Sequence, residues 1–206
     1  MKSVSLLTFT HGRAGRPDTL TEIARHFETL WGTAVANVGP ETWLASDAEG
    51  NLVVLQHDVD GLVDEQKRLR VTSEILLGEM VNRIRSIAVT PTPAALVIPK
   101  AFLATVEGSI YLFGFIAEGK QDLLIRMQSA MMDMVVSPGN VDFKKFRGFR
   151  SQVRDMGEVG PSRFVDGELI EQFLDLGEAA QQKVCEKLKT GLEETKGMVE
   201  GLRRIH

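Results

Sequence analysis

Two stretches of this chain are near copies of each other: WLASDAEGNLVVLQ, Trp43 to Gln56, and FLATVEGSIYLFGF, Phe102 to Phe115. Each runs Leu-Ala, then Ser or Thr, then Glu-Gly, then an alternating apolar segment. Glycine accepts the positive φ that a tight turn demands, so Glu49-Gly50 and Glu107-Gly108 predict the tips of two β-hairpins. Repeated hairpins are what the blades of a β-propeller leave in a sequence, since each blade is a four-stranded antiparallel sheet. Similar hairpins also arise in unrelated all-β proteins, so the repeat alone leaves other β architectures open. Length narrows the choice. A blade takes about 40–45 residues and a closed ring needs about 4–8 blades. The β-rich residues 1–118 cannot close a ring, and the expectation is a partial propeller whose other blades lie elsewhere in a longer polypeptide.

The rest of the β-rich part reads as short runs of Val, Ile, Leu, Thr and Phe: Val4–Thr10, Thr33–Val38, Thr42–Ser46, Leu52–His57, Leu69–Leu77, Glu79–Ile84, Ala101–Val106 and Ser109–Ile116. One segment is ambiguous. Leu20, Ile23, Ala24 and Phe27 fall at helical spacing, and periodicity alone predicts a helix there. From Gly119 onward the period is helical throughout. Leu123, Leu124, Met127, Ala130, Met131 and Met134 form one stripe of a helix over Gln121–Val136, stopped by Ser137-Pro138-Gly139-Asn140. A second helix is expected over Asp142–Arg154, with Phe143, Phe146 and Phe149 on one face. Asp166-Gly167-Glu168 opens a third. Asp175 with Glu178 reads as the capping box of a fourth. Leu192–Ile205 is the last. The fold class is mainly β followed by α, divided into residues 1–118 and residues 119–206.

Composition excludes several functions. The single cysteine, Cys185, forbids an internal disulfide and a multi-cysteine zinc site, and fits a reducing compartment. It sits in the Val184 stripe and reads as core. No apolar run approaches the ~20 residues of a membrane span. The four histidines include no pair at i, i+4, so no helical metal site exists. His57-Asp58 lacks a nucleophile elbow and reads as structural. His11-Gly12-Arg13-Ala14-Gly15-Arg16 lacks the Lys-Ser/Thr of a phosphate loop and reads as a solvated hairpin loop. No catalytic residue, cofactor or metal is expected.

Two readings of binding residues remain. Lys144, Lys145, Arg147 and Arg150, continued by Arg154, interleave with phenylalanines and are candidate nucleic-acid contacts. The helical spacing of the rings favours the plainer reading, in which the rings are core and the charges solvated. A net charge of −4 also argues against a dedicated nucleic-acid binder. Trp31 and Trp43 are either core or, at a propeller rim, binding hot spots.

The sequence from Phe164 to Leu176, with its Asp166-Gly167-Glu168-Leu169-Ile170-Glu171-Gln172-Phe173-Leu174-Asp175 motif, and the ending Arg204-Ile205-His206 carry a resemblance. So do Met1-Lys2-Ser3-Val4, Glu22-Ile23-Ala24-Arg25, Trp31-x-x-Ala34-Val35 and Leu77-Gly78-Glu79-x-Val81-Asn82. Across nearly the whole chain it resembles the carboxyl terminus of the family of the damage-specific DNA-binding protein's large subunit. That family is the adaptor of a cullin–RING ubiquitin ligase. Its sister branches are the splicing factor 3b and cleavage/polyadenylation (CPSF-A) large subunits, and the Arg-Ile-His ending is similar to the adaptor branch.

The resemblance implies that residues 1–118 are the last blades of a third propeller and that a carboxy-terminal helical domain follows. It implies a strand at Leu20–Phe27, against the helical period. In the family, the first and third propellers grip a helical segment of propeller-type substrate receptors. Trp31 matches the tryptophan of that receptor pocket, Asn82 a cleft asparagine, and Met80 stands where the family has phenylalanine. The cullin is held by a middle propeller that this chain does not contain. The implied role is a non-enzymatic adaptor in DNA repair and protein turnover. It would be nuclear and also cytoplasmic, and would meet damaged DNA through a partner subunit. The alternative is a splicing or polyadenylation scaffold.

Overall fold

The computed structural model of the chain describes residues 3–13, 15–152 and 163–205. Strands occupy the first part and helices the second, with the change falling between Ile116 and Gln121. Two compact units emerge, and they interleave along the chain. The first comprises Met1–Ser86, Phe102–Tyr111 and Gly148–Arg163. The second comprises Ile87–Ala101, Leu112–Arg147 and Phe164–His206.

The first unit opens with β1 (Ser5–Thr10) and β2 (Thr19–Arg25), an antiparallel pair. β2 is therefore a strand where periodicity predicted a helix. A register shift between Leu6 and Leu7 explains the misleading spacing: Leu6 faces Ala24, while Leu7 already faces Glu22. A bulge resets the two-residue alternation, and apolar positions then fall three and four apart without any helix. The glycine loop of residues 11–16 joins the two strands, with the Gly12 amide donating to Asp18 at 2.8 Å. It is a hairpin loop, and Ala14 within it lies outside the described residues.

Next come β3 (Gly32–Gly39), β4 (Thr42–Asp47) and β5 (Asn51–His57), then the single turn α1 (Val63–Gln66), then β6 (Leu69–Leu76). Their order is β3-β4-β5-β6, a four-stranded antiparallel meander. Along β4 and β5 nearly every residue is buried, on both faces. Continuous burial of this kind requires a layer on each side of the sheet, as inside a stack of blades. One such layer is the β1–β2 pair: Leu6 and Ala24 pack with Ala45, Val53, Leu55 and Leu69 in one core.

β7 (Val81–Ser86), β8 (Val97–Thr105) and β9 (Ile110–Ile116) form a third antiparallel sheet in that order. The tip of the β8–β9 hairpin belongs to the first unit and the open ends of both strands to the second. The repeated hairpins share one turn. In the first, the Asn51 amide donates to the Asp47 carboxylate at 2.9 Å; in the second, the Ser109 amide donates to the Thr105 hydroxyl at 3.0 Å. Gly50 and Gly108 take φ of 83° and 100°, the left-handed values expected of hairpin tips. A side chain at Gly50 would also meet the backbone of Gly78 and Glu79 at 3.2 Å. The sheets are antiparallel, among the described residues no barrel closes, and the β part is a partial propeller.

The second unit is held by helices. These are α2 (Gln121–Met132), the one-turn α3 (Phe143–Phe146), α4 (Gly167–Glu171), α5 (Glu178–Leu188) and α6 (Leu192–Arg203). Leu124, Met127, Met131, Ile170, Phe173, Val184 and Val199 make its core, and Cys185 lies among them, fully buried. Among the described residues no helix is long and apolar enough to cross a membrane.

Three helical expectations need correction. The helix expected over Gln121–Val136 ends at Met132. The helix expected over Asp142–Arg154 lasts one turn, and its last residues lie outside the described ones. The Arg150 backbone amide explains the stop: it donates to the Asn51 side-chain carbonyl at 2.9 Å, while the Asn51 side-chain Nδ2 donates to the Arg150 carbonyl at 2.8 Å. A backbone clasped in both directions by a buried side chain is not available to a helix. The phenylalanines serve different cores as well, Phe143 that of the second unit and Phe149 that of the first. Finally, Asp175 closes a 3-10 turn, and α5 starts after Gly177, so the expected capping box is absent. Asp166 does cap α4, accepting from the Leu169 amide.

Candidate functional site

β3 and β7 are the first strands of successive sheets, and they run side by side within the first unit. The Thr33 hydroxyl donates to the Val81 carbonyl at 2.5 Å, and the Ser46 hydroxyl reaches the same oxygen at 3.2 Å. Further along, the Ser86 hydroxyl donates to the Asn37 carbonyl. Both strands advance in the same direction between these contacts, so they are parallel neighbours. Innermost strands of adjacent blades stand in this relation around the axis of a propeller.

Trp31 precedes β3 and is 59% exposed, unusual for a tryptophan. Its carbonyl accepts from the Ala48 amide at 3.0 Å, which fixes the backbone and leaves the ring at the surface. Asn82 is exposed on β7, directly after the Val81 whose carbonyl Thr33 holds. Met80 is half-buried, and its carbonyl accepts from the Val106 amide at 3.0 Å. Trp31 and Met80 thus lie immediately before β3 and β7, and Asn82 lies on β7, all within one unit.

Glu79 braces this corner. Its carboxylate accepts from the hydroxyls of Thr105 at 2.7 Å, Ser109 at 3.1 Å and Tyr111 at 2.9 Å. The Thr105 and Ser109 bonds hold the carboxyl below its ordinary range, outweighing the opposing effect of burial, and Tyr111 adds to them. A carboxylate fastened to the β8–β9 hairpin on one side and joined to Met80 on the other pre-orders the start of β7. Sequence reading passed over Glu79, because a carboxylate held by hydroxyls has no sequence signature.

The basic run is not uniform. Lys144, Lys145 and Arg150 are exposed, the lysines in the second unit and Arg150 in the first. Arg147 is only 12% exposed and meets Asp166 at 2.7 Å and Glu168 at 2.6 Å. Burial opposes its charge, but the Asp166 carboxylate and then Glu168 outweigh burial and hold the guanidinium above its usual value. A guanidinium neutralised this way serves the packing of α4. Arg154 lies outside the described residues. His57 is committed too, with Nδ1 at 2.8 Å from a Glu41 carboxylate oxygen and Nε2 at 2.8 Å from the Gln66 carbonyl. Among the described residues no cluster of His, Cys, Asp and Glu could hold a metal.

A chain of paired antiparallel sheets followed by a small helical core can be compared with known proteins along its whole length. It matches the family described as the CPSF A subunit region over residues 1–175. The chain belongs to that family. Among curated proteins it is similar to DNA damage-binding protein 1 of Schizosaccharomyces pombe, 29% identical over 214 residues. It is also similar to DNA damage-binding protein 1 of Oryza sativa subsp. japonica and DNA damage-binding protein 1a of Arabidopsis thaliana, each 29% identical over 210 residues. Each of these three matches covers 100% of this chain and 19% of the relative. The chain therefore spans about a fifth of the length of these family members.

Proposed function

We propose that this member of the CPSF A subunit region family is part of a non-enzymatic scaffold that holds other proteins, as the carboxy-terminal region of a cullin–RING ubiquitin-ligase adaptor. In this reading it works in the nucleus in response to DNA damage. The likeness to proteins named DNA damage-binding protein 1 over the whole chain supports the adaptor branch. The observation that carries the docking role is the exposed Trp31 beside the paired strands β3 and β7. An exposed aromatic next to a rigid strand is a ready anchor for a partner helix. Trp31, Met80 and Asn82 are the proposed receptor contacts. The cullin would bind through other parts of the longer protein, and damaged DNA would be reached through a partner subunit.

Affinity capture of the full-length protein, followed by mass spectrometry, tests this. A cullin and several propeller-type receptors are expected with it. Trp31→Ala should lose the receptors and keep the cullin. Recovery of splicing or polyadenylation subunits instead would move the protein to a sister branch. That second reading has one observation behind it: the family model that matches is itself described as a CPSF subunit region. Direct nucleic-acid contact through Lys144 and Lys145 of the second unit is a separate proposal, read from a steep loss of oligonucleotide affinity with salt.

A further inference from the structure

His57 ends β5, is buried, and has a hydrogen-bond acceptor on each side of its ring. Nδ1 lies 2.8 Å from a Glu41 carboxylate oxygen, and Nε2 lies 2.8 Å from the Gln66 carbonyl. A neutral imidazole offers one N–H and one lone pair, whereas an ionised carboxylate and a peptide carbonyl only accept. With a neutral ring, one of the two contacts would set a lone pair against an oxygen. Both close only when the His57–Glu41 pair holds one further proton. Glu41 is half-exposed, where water supports its ionised form, and a proton on the ring serves both contacts at once. Glu41 sits in the β3–β4 turn with a φ of 47°, a left-handed value uncommon for glutamate, and its own carbonyl accepts from the His57 amide at 2.9 Å. The β5–β6 connection also carries Asp58, Asp60, Asp64, Glu65, Lys67 and Arg68, and β6 carries Arg70 opposite Gln56. Among the described residues, Glu41 is the group that forms an ion pair with the ring.

We infer that His57 is a pH-operated latch: it holds the β5–β6 loop, residues 58–66, to the β3–β4 turn while the ring carries both protons, and releases the loop when one is lost. The latch is independent of the docking role proposed above. When a proton leaves, the remaining N–H stays with the Glu41 carboxylate, because a bond to a charged acceptor is the stronger one. The Nε2 lone pair then opposes the Gln66 carbonyl, so the contact to α1 is the one that opens. The loop keeps bonds of its own. The Gln66 side-chain amide donates to the Val59 and Gly61 carbonyls, both at 3.0 Å, and the Glu65 carboxylate accepts from the Leu62 amide at 3.1 Å. The chain is fixed again at Lys67, whose carbonyl accepts from the Arg25 amide at 3.0 Å. The loop therefore moves as a unit between His57 and Lys67, and the exposed Leu62 and Val63 move with it. The latched state binds a proton that the released state gives up. Closure is thus favoured on the acid side and lost as pH rises through the range in which histidine changes charge, about pH 5–8.

The test is hydrogen exchange of the full-length protein at about pH 5.5 and about pH 8, corrected for the intrinsic pH dependence of exchange. Residues 58–66 should exchange about fivefold faster at the higher pH, the worth of one lost hydrogen bond, while β4 and β5 do not change. Glu41→Gln is the decisive variant. Its side-chain amide can donate to a bare Nδ1, so a neutral ring keeps Nε2–H for the Gln66 carbonyl and the loop should stay slow at both pH values. His57→Gln, which has no ring proton to lose, should give the loop one exchange rate at both. Equal loop exchange in the unaltered protein at the two pH values would overturn the latch. So would a pH dependence that survives Glu41→Gln, since the loop would then be answering to some other group. If His57→Gln also loosens β4 and β5, that variant has lost its sheet, and the Glu41→Gln comparison alone decides.

Discussion

The two sheets of the first unit face opposite circumstances. In the four-stranded sheet, Leu44, Ala45, Val53 and Leu55 are almost completely buried, and both faces of β4 and β5 are covered. In the β1–β2 pair, Leu6 and Ala24 turn into the shared core, while Leu7, Phe9 and Leu20 stay at the surface, Leu20 at 64% exposure. Phe9 and Leu20 are cross-strand partners, so their side chains form a continuous apolar patch. The sequence is equally apolar in both places; only the number of covering layers differs. Blades in a propeller are covered on both faces by their neighbours. The four-stranded sheet has that environment within this chain. The bare side of β1–β2 is what a blade shows where a neighbouring sheet is not present.

That contrast orders the mutational expectations. Leu55→Ala should cost the most, about 3–4 kcal/mol, because both layers close over the cavity and neither can collapse into it. Chemical denaturation of the chain reads this directly. Asn51→Ala should cost about 2–3 kcal/mol, since it strips buried bonds to Asp47 and leaves the Arg150 amide and carbonyl unmet. Its particular signature is fast hydrogen exchange at Arg150 while β4 and β5 stay protected.

Glu79→Gln should cost about 1 kcal/mol and remove a pH dependence. The folded carboxyl titrates below its ordinary range, so its contribution is complete above the unfolded carboxylate value and lost as pH falls through the folded value. The variant's stability should be flatter with pH on the acid side. An identical acid profile in wild type and variant would remove Glu79 from the account. Leu20→Ser should do least, within about 0.5 kcal/mol in this chain, because the side chain is already solvated. If a longer polypeptide supplies a neighbouring sheet over the patch, as the partial propeller implies, the same change should cost more there. Equal small effects in both would break the comparison between the two sheets.

Particular residues show what was readable from sequence. The Glu-Gly tips were legible because a turn imposes its chemistry on adjacent residues. The stripes of α2, α5 and α6 were legible because each faces a single core. The Phe143, Phe146 and Phe149 stripe misled, because spacing cannot tell that two of those rings enter different cores or that Asn51 claims the Arg150 backbone. The Leu20–Phe27 stripe misled through a bulge, which periodicity does not represent; the family motifs pointed to the strand. Trp31, Met80 and Asn82 also came from those motifs, since an exposed tryptophan has no local signature.

In the proposed function a partner protein docks on the β3–β7 strand pair. Hydrogen exchange of the full-length protein, free and with a co-purified receptor bound, tests it most directly. The account predicts slowed exchange concentrated in residues 31–37 and 80–85, abolished by Trp31→Ala. Protection confined to β1–β2 or to the helices α2, α5 and α6, with residues 31–37 and 80–85 unchanged, would contradict it.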